Sequence, residues 1–198
     1  MRDQLQRWAR GVVRGHLVGP GGRILNRFCV NNTILYGGAD IMARLLGGDQ
    51  AYVPRYMGFV YGAAATPTLA PIARATTWAD IAAELADPAV TGNMLISPLS
   101  TSPSYSVDGS ASYYTGNSTG LIAHSGATYE YGFPTGGGSY AGPLIDGYYF
   151  YQALILTRLV QGTTVQYLPF ARVSLLDGTY PEKLSGFELA LFWNISYF

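Results

Sequence analysis

Phe187-Glu188-Leu189-Ala190-Leu191-Phe192-Trp193-Asn194-Ile195-Ser196-Tyr197-Phe198 is the stretch that decides the fold class. Phe187, Leu189, Leu191, Trp193, Ile195 and Tyr197 recur with period two, while Glu188, Ala190, Asn194 and Ser196 fall between them. That alternation is the signature of a β-strand with one greasy face. At about 3.4 Å per residue the run reaches ~40 Å, longer than a typical strand. A single sheet would leave so long an apolar stripe in water, so the pattern predicts a second sheet over it. The expected architecture is mainly β: a β-sandwich or jelly-roll-like domain with one or two short helices and an extended N-terminal arm.

Moving backward, residues 148–160 and 163–176 are two more strand-like runs. Gln161-Gly162 and Asp177-Gly178 separate the three runs and suit tight turns, so the first pair is read as a hairpin. Tyr56–Gly62 has strand composition, and Arg23–Val30 reads as a first strand followed by an Asn31-Asn32 turn. A helix is predicted over Ala39–Leu46, after Gly37-Gly38 and before Gly47-Gly48, with Ile41/Leu45 and Met42/Leu46 paired at i, i+4. A second is predicted over Trp78–Leu85, with Thr77 as N-cap and Asp87-Pro88 as stop.

Residues 1–22 are read as a basic N-terminal arm, in which residues 2–14 could form a short helix with Leu5, Trp8 and Val12 on one side. Gly11, Gly15 and Gly19-Pro20-Gly21-Gly22 cut that helix short. Residues 23–198 are read as a single β-rich domain. Within it, residues 97–143 form a Gly/Ser/Tyr-rich insert, too aromatic for disorder, expected as short strands with long turns or as a loop folded against a neighbour.

The chain has 198 residues, of which 48% are hydrophobic and only 12% charged, with a formal net charge of zero. Soluble domains average about 25% charged residues, so Gly, Ser, Thr, Asn and Tyr must cover much of the surface. Nothing then keeps copies apart, and association is the expected fate. The neutral total hides an asymmetry. Arg2, Arg7, Arg10, Arg14, Arg23, Arg27 and Arg44 face only Asp3 and Asp40 in the first 44 residues, whereas residues 100–150 hold no Arg or Lys. Cys29 is the only cysteine, and with His16 and His124 the only histidines, zinc spacing is absent. The first residues lack the apolar core of a signal peptide, and no apolar run is long enough for a transmembrane helix. A soluble product made in a reducing cytoplasm is expected.

Catalytic motifs are weak. Gly116-Asn117-Ser118-Thr119-Gly120 matches the nucleophile-elbow pattern, but it sits in a Gly/Ser tract with no helix after Gly120 and no histidine beyond His124, so it is read as a turn. The Gly clusters at 19–22 and 136–138 lack the Lys-Ser/Thr of a phosphate loop. Neither histidine has an evident acid, nucleophile or metal partner. No enzyme activity, cofactor or metal is expected. The basic segment lacks interleaved Lys, and the rest of the chain is neutral to acidic, which argues against nucleic acid as the partner.

Asn31-x-x-Ile34-Leu35-x-Gly37-Gly38-Ala39-Asp40-x-Met42-Ala43-Arg44-Leu45-Leu46-x-Gly48, followed by Tyr56-Met57-Gly58-Phe59-Val60-Tyr61-Gly62, resembles small structural proteins of tailed bacteriophages. Leu168-Pro169-Phe170-Ala171-Arg172-Val173, Glu182-Lys183-Leu184-Ser185-Gly186 and the closing alternation look like the terminal strands of such proteins. The similarity covers about residues 26–62 and 148–198 and leaves out the arm and the insert. It implies a virion part of β-sandwich type, commonly trimeric, without choosing its position; the leading expectation is a capsid decoration or cement protein on the capsid surface of the virion. The major capsid protein would be the partner, bridged by a homo-oligomer that adds buried area and avidity to strained contacts, with neither nucleic acid nor membrane bound. A tail or fibre-attachment component is the alternative. On the capsid reading Arg2, Arg7, Arg10 and Arg14 are the expected partner-binding residues, pairing with carboxylates, and Trp8 is the expected anchor; on the tail reading the Tyr-rich face would contact a ring or the host surface. The competing reading of these arginines is a solvated, frayed terminus.

Overall fold

The computed structural model describes residues 9–86, 93–98, 114–122, 128–131, 138–141, 147–184 and 188–197. In chain order the strands and helices are β1 (Ala9–Val18), β2 (Ile24–Asn31), β3 (Thr33–Ile34), α1 (Tyr36–Leu46), β4 (Tyr56–Gly62), α2 (Trp78–Ala86), β5 (Asn93–Pro98), β6 (Tyr114–Ile122), β7 (Thr128–Tyr131), β8 (Gly138–Ala141), β9 (Tyr148–Gln161), β10 (Thr164–Ser174), β11 (Glu182–Lys183) and β12 (Glu188–Tyr197). The protein is mainly β, and the strand pairs are antiparallel. One sheet has the order β2-β1-β12-β6; the other runs β3-β10-β9-β4-β5-β7-β8, with β11 beside β9.

The β9–β10 hairpin expected from residues 148–176 forms around Gly162, whose φ of 62° is open to glycine at no steric cost. The closing stretch is a strand, with Leu189 and Leu191 fully buried. It lies between β1 and β6.

β1 corrects the expectation of a helix over residues 2–14 and of an arm reaching residue 22. Residues 9–18 form a strand between β2 and β12, with Val13 fully buried. The glycines that argue against a helix here are what allow the strand. Gly15 pairs with Phe28, and a Cβ at Gly15 would lie 1.8 Å from the tip of the Phe28 ring, so the ring occupies the space a side chain would take.

α1 begins at Tyr36, three residues before the expected start, and takes Gly37 and Gly38 into its first turn. A Cβ on Gly38 would stand 2.3 Å from the carbonyl oxygen of Phe170, so glycine lets the helix press onto β10. The helix ends at Gly47, as the sequence predicts, and buries Ile41. α2 follows Thr77 as expected. Gly116–Gly120 is a correction too: these residues lie inside β6, opposite Ile195 to Leu191 of β12, in neither a turn nor a strand-to-helix elbow.

One core gathers Val13 and Phe28, Leu189 and Leu191 from the first sheet, Met57, Phe59, Phe150, Ile155 and Val173 from the second, and Ile41 of α1. A second core on the other side of the larger sheet joins Val60, Ile96, Tyr151, Leu154, Leu156 and Tyr167 to Ile81 of α2. β9 is therefore covered on both faces, which is why residues 150–157 read as a nearly unbroken apolar run.

Candidate functional site

Alternation along β1 puts Val13 in the core and Arg14 in solvent. On β2 it buries Phe28 and exposes Arg27 and Cys29. The register then pairs Arg14 with Cys29, and His16 with Arg27. Arg14 and Arg27 are thus diagonal neighbours on the outer face, with Cβ atoms about 7–8 Å apart for such positions. Among the described residues neither guanidinium has an ion-pair partner. Two like charges at that spacing repel weakly, and an anionic surface laid across them relieves the repulsion. Among the described residues β2 is the outermost strand on its side of the sheet, so this basic face runs to the sheet's edge. Ile24 and Leu25, both exposed, stand at the beginning of the same strand.

Of the residues expected to bind a partner, Arg14 lies on this face. Arg10 belongs to β1, where its backbone pairs with Ser196. Arg2, Arg7 and Trp8 lie outside the described residues. Sequence reading missed Arg27 and His16 as members of the same cluster, because only the β1–β2 register brings them beside Arg14. The signal was present in the charge count of the first 44 residues, but not in any spacing.

A different kind of electrostatics sits under α2. Arg172 of β10 is 2% exposed, and its Nε donates to Gln152 Oε1 at 2.7 Å. Its terminal nitrogen donates to Glu84 Oε2 of α2 at 2.9 Å, the Glu84 side chain being 10% exposed. These bonds tie α2 to the sheet across a place where an apolar contact would be the default. A lone arginine in the apolar run Phe170–Val173 was the available signal.

A cleft of about 580 Å³ opens nearby, between the start of α1, the approach to α2 and β10. Trp78 forms one wall, its ring 5.2 Å from that of Tyr167 and tilted by 46°. Tyr36 and Asp40 of α1 stand opposite. The backbone bond from Tyr36 N–H to the Arg74 carbonyl, 2.9 Å, joins the two walls. Asp40 Oδ2 accepts from Arg44 Nε at 3.0 Å, and this bond and charge hold the Arg44 guanidinium above its ordinary pKa.

Among the described residues no three His, Cys, Asp or Glu side chains converge as a metal site, and no helix is long and apolar enough to cross a membrane. No protein-family model, no curated protein and no solved structure matches this chain.

Proposed function

We propose that the protein is a structural component of a tailed-phage virion, a capsid decoration protein whose two sheets stack as a β-sandwich. In this reading it docks through the basic outer face around Arg14 and Arg27 onto carboxylates of the major capsid protein. Arginine suits that task because its planar fork pairs with a carboxylate through two parallel bonds. Arg2, Arg7 and Trp8, which precede β1 in sequence, and Arg10 within it, would add to the same contact. A homotrimer would multiply modest single contacts into avidity. The observation that carries the reading is the pair of exposed arginines, without ion-pair partners among the described residues, beside β2, the outermost described strand of its sheet, on a chain otherwise poor in charge.

The test is made on particles assembled with and without the chain. Hundreds of copies per particle, together with heads that break at lower temperature when the chain is missing, are the expected result. About six to eighteen copies would match the closed symmetries of a tail and move the protein there. Arg14→Glu with Arg27→Glu is expected to abolish incorporation while leaving the thermal midpoint of the free protein nearly unchanged, since exposed substitutions cost within about 0.5 kcal/mol. Full incorporation of that double variant would overturn the docking face.

A further inference from the structure

The cleft beside Trp78 is remote in chemistry from the basic face, and nothing in the proposed docking uses it. We infer that it is a binding site for a neutral saccharide. A sugar ring presents two unlike surfaces, a face of weakly polarised C–H groups and a rim of hydroxyls. A site for it needs an aromatic face for the first and planar acceptors and donors for the second.

Both are present. Trp78 is half-buried, so part of its indole is open to the cleft while Tyr167 backs it from the core. Tyr167 is itself fully buried and packed edge-on against Tyr56, 6.4 Å away, so the wall is fixed before any ligand arrives. Trp78 is also held from the backbone. It is the first residue of α2, directly after the reciprocal bonds between Thr77 and Asp80. Across the gap Tyr36 is 44% exposed, and Asp40, Thr76 and Gln166 bring polar side chains to the lining. A carboxylate accepts from hydroxyls and an amide both accepts and donates, which matches the hydroxyl rim of a sugar.

Charge narrows the class. Among the described residues the only formal charge in the lining is Asp40, and Arg44 already answers it at 3.0 Å. A phosphate or an ammonium ligand would find no unanswered counter-charge, whereas an uncharged polyol asks for none. Volume points the same way, because about 580 Å³ is within the range of small-ligand sites and leaves room for about one or two sugar rings.

The full chain is to be screened on an array of neutral oligosaccharides containing hexose and N-acetylhexosamine units, with indole as an aromatic control. Hits are then titrated in solution by tryptophan fluorescence and by indole N–H resonances. The expected result is saturable binding with a Kd of about 1 mM or tighter, a shift of the Trp78 resonance, and no comparable affinity for indole. Gln166→Ala and Asp40→Asn, both at exposed positions, are expected to keep the thermal midpoint and weaken binding about tenfold. Trp78→Phe is expected to retain part of the affinity by keeping an aromatic face, and Trp78→Ala to lose it. No saturable binding to any array member, equal binding by the Gln166 and Asp40 variants, or preference for indole would overturn the assignment. None of these outcomes depends on whether the chain enters virus particles.

Discussion

β1 and β9 are both interior strands of their sheets, and they solve different problems. β9 lies between β10 and β4 and is covered on both faces, by β1, β2 and β12 of the smaller sheet with α1 on one side and by α2 on the other. Its residues from Phe150 to Thr157 are all buried. β1 lies between β2 and β12 but is covered on one face only, so Val13 is buried while Arg14 is in solvent. A strand pressed from both sides has to bond the polar side chains it fully buries, as Gln152 and Thr157 of β9 do, whereas a strand pressed from one side can keep charge exposed for a partner. Arg14 and Arg27 accordingly stand in solvent on the singly covered side, while Arg172 is locked inside the doubly covered one.

The largest effect is expected where that contrast is sharpest, at Arg172. Glu84→Ala leaves a buried guanidinium without its carboxylate, and losing one partner of a buried pair costs about 3–5 kcal/mol. A urea-unfolding midpoint measures it. Replacing the whole buried cluster with apolar residues of similar size, Arg172→Met with Glu84→Leu and Gln152→Leu, is expected to recover most of the loss, because the pair's desolvation penalty disappears with the pair and Gln152, which accepts from Arg172, is not left unbonded. A triple variant no more stable than Glu84→Ala would mean that the ionic link does more than hold α2 against β9 and β10. By contrast, Arg14→Met on β1 is expected to be nearly silent in the same assay.

Gly15→Ala probes the other strand. Its new methyl would meet the Phe28 ring, which is itself buried against the core. The ring must leave its place or the β1–β2 pair must separate, and overpacking of this kind costs about 1–3 kcal/mol. Gly15→Ala combined with Phe28→Val, which vacates the ring's position, is expected to lose less than the sum of the two single changes. Strict additivity in thermal or denaturant unfolding would show that the ring is not what excludes a side chain at position 15.

The same pair of strands explains how far the sequence could be read. β9, β10 and β12 announce themselves because a run apolar on both faces, or apolar with period two, has few other uses. β4 was legible to the residue, Tyr56–Gly62, bounded by Gly62 and the small-residue loop after it. β1 was not, because Ala9–Val18 holds two glycines whose missing side chains are supplied from outside the strand, by Phe28 of β2 over Gly15 and by Asn32, just past β2, over Gly11. A local pattern cannot show a gap that is filled from elsewhere in the chain. The glycines at 37 and 38 misled in the same way: they looked like a helix boundary, whereas Gly38 is the point where the helix touches the Phe170 carbonyl. Arg14 was singled out from charge alone, but its companions Arg27 and His16 depend on register, and the cleft depends on three segments meeting.

The smallest effect lies at the start of α2, the helix that gives β9 its second cover. The Asp80 carboxylate accepts from the Thr77 backbone N–H and from the Thr77 hydroxyl, each at 2.7 Å, while the Asp80 N–H donates to the Thr77 hydroxyl at 3.2 Å. Those two bonds to the charged form, the backbone one first, lower the Asp80 pKa below its ordinary value. The depressed group makes its full contribution to stability above the unfolded carboxyl pKa, about 3.9, and loses it as pH falls through the lower folded value. Thr77→Ala removes the cap hydroxyl at a cost of about 1 kcal/mol near neutral pH and leaves the backbone N–H to Asp80 in place. The Asp80 pKa, followed by carboxyl-carbon NMR, is therefore expected to rise toward its ordinary value without reaching it. The stability gap between the two proteins should narrow as pH falls from 5 toward 2. An Asp80 that titrates unchanged in the variant, or a gap that widens in acid, would show that this cap does not set the electrostatics of the helix start. α2 would then be held on β9 and β10 by Ile81, by Trp78 against Tyr167 and by the Glu84–Arg172 pair.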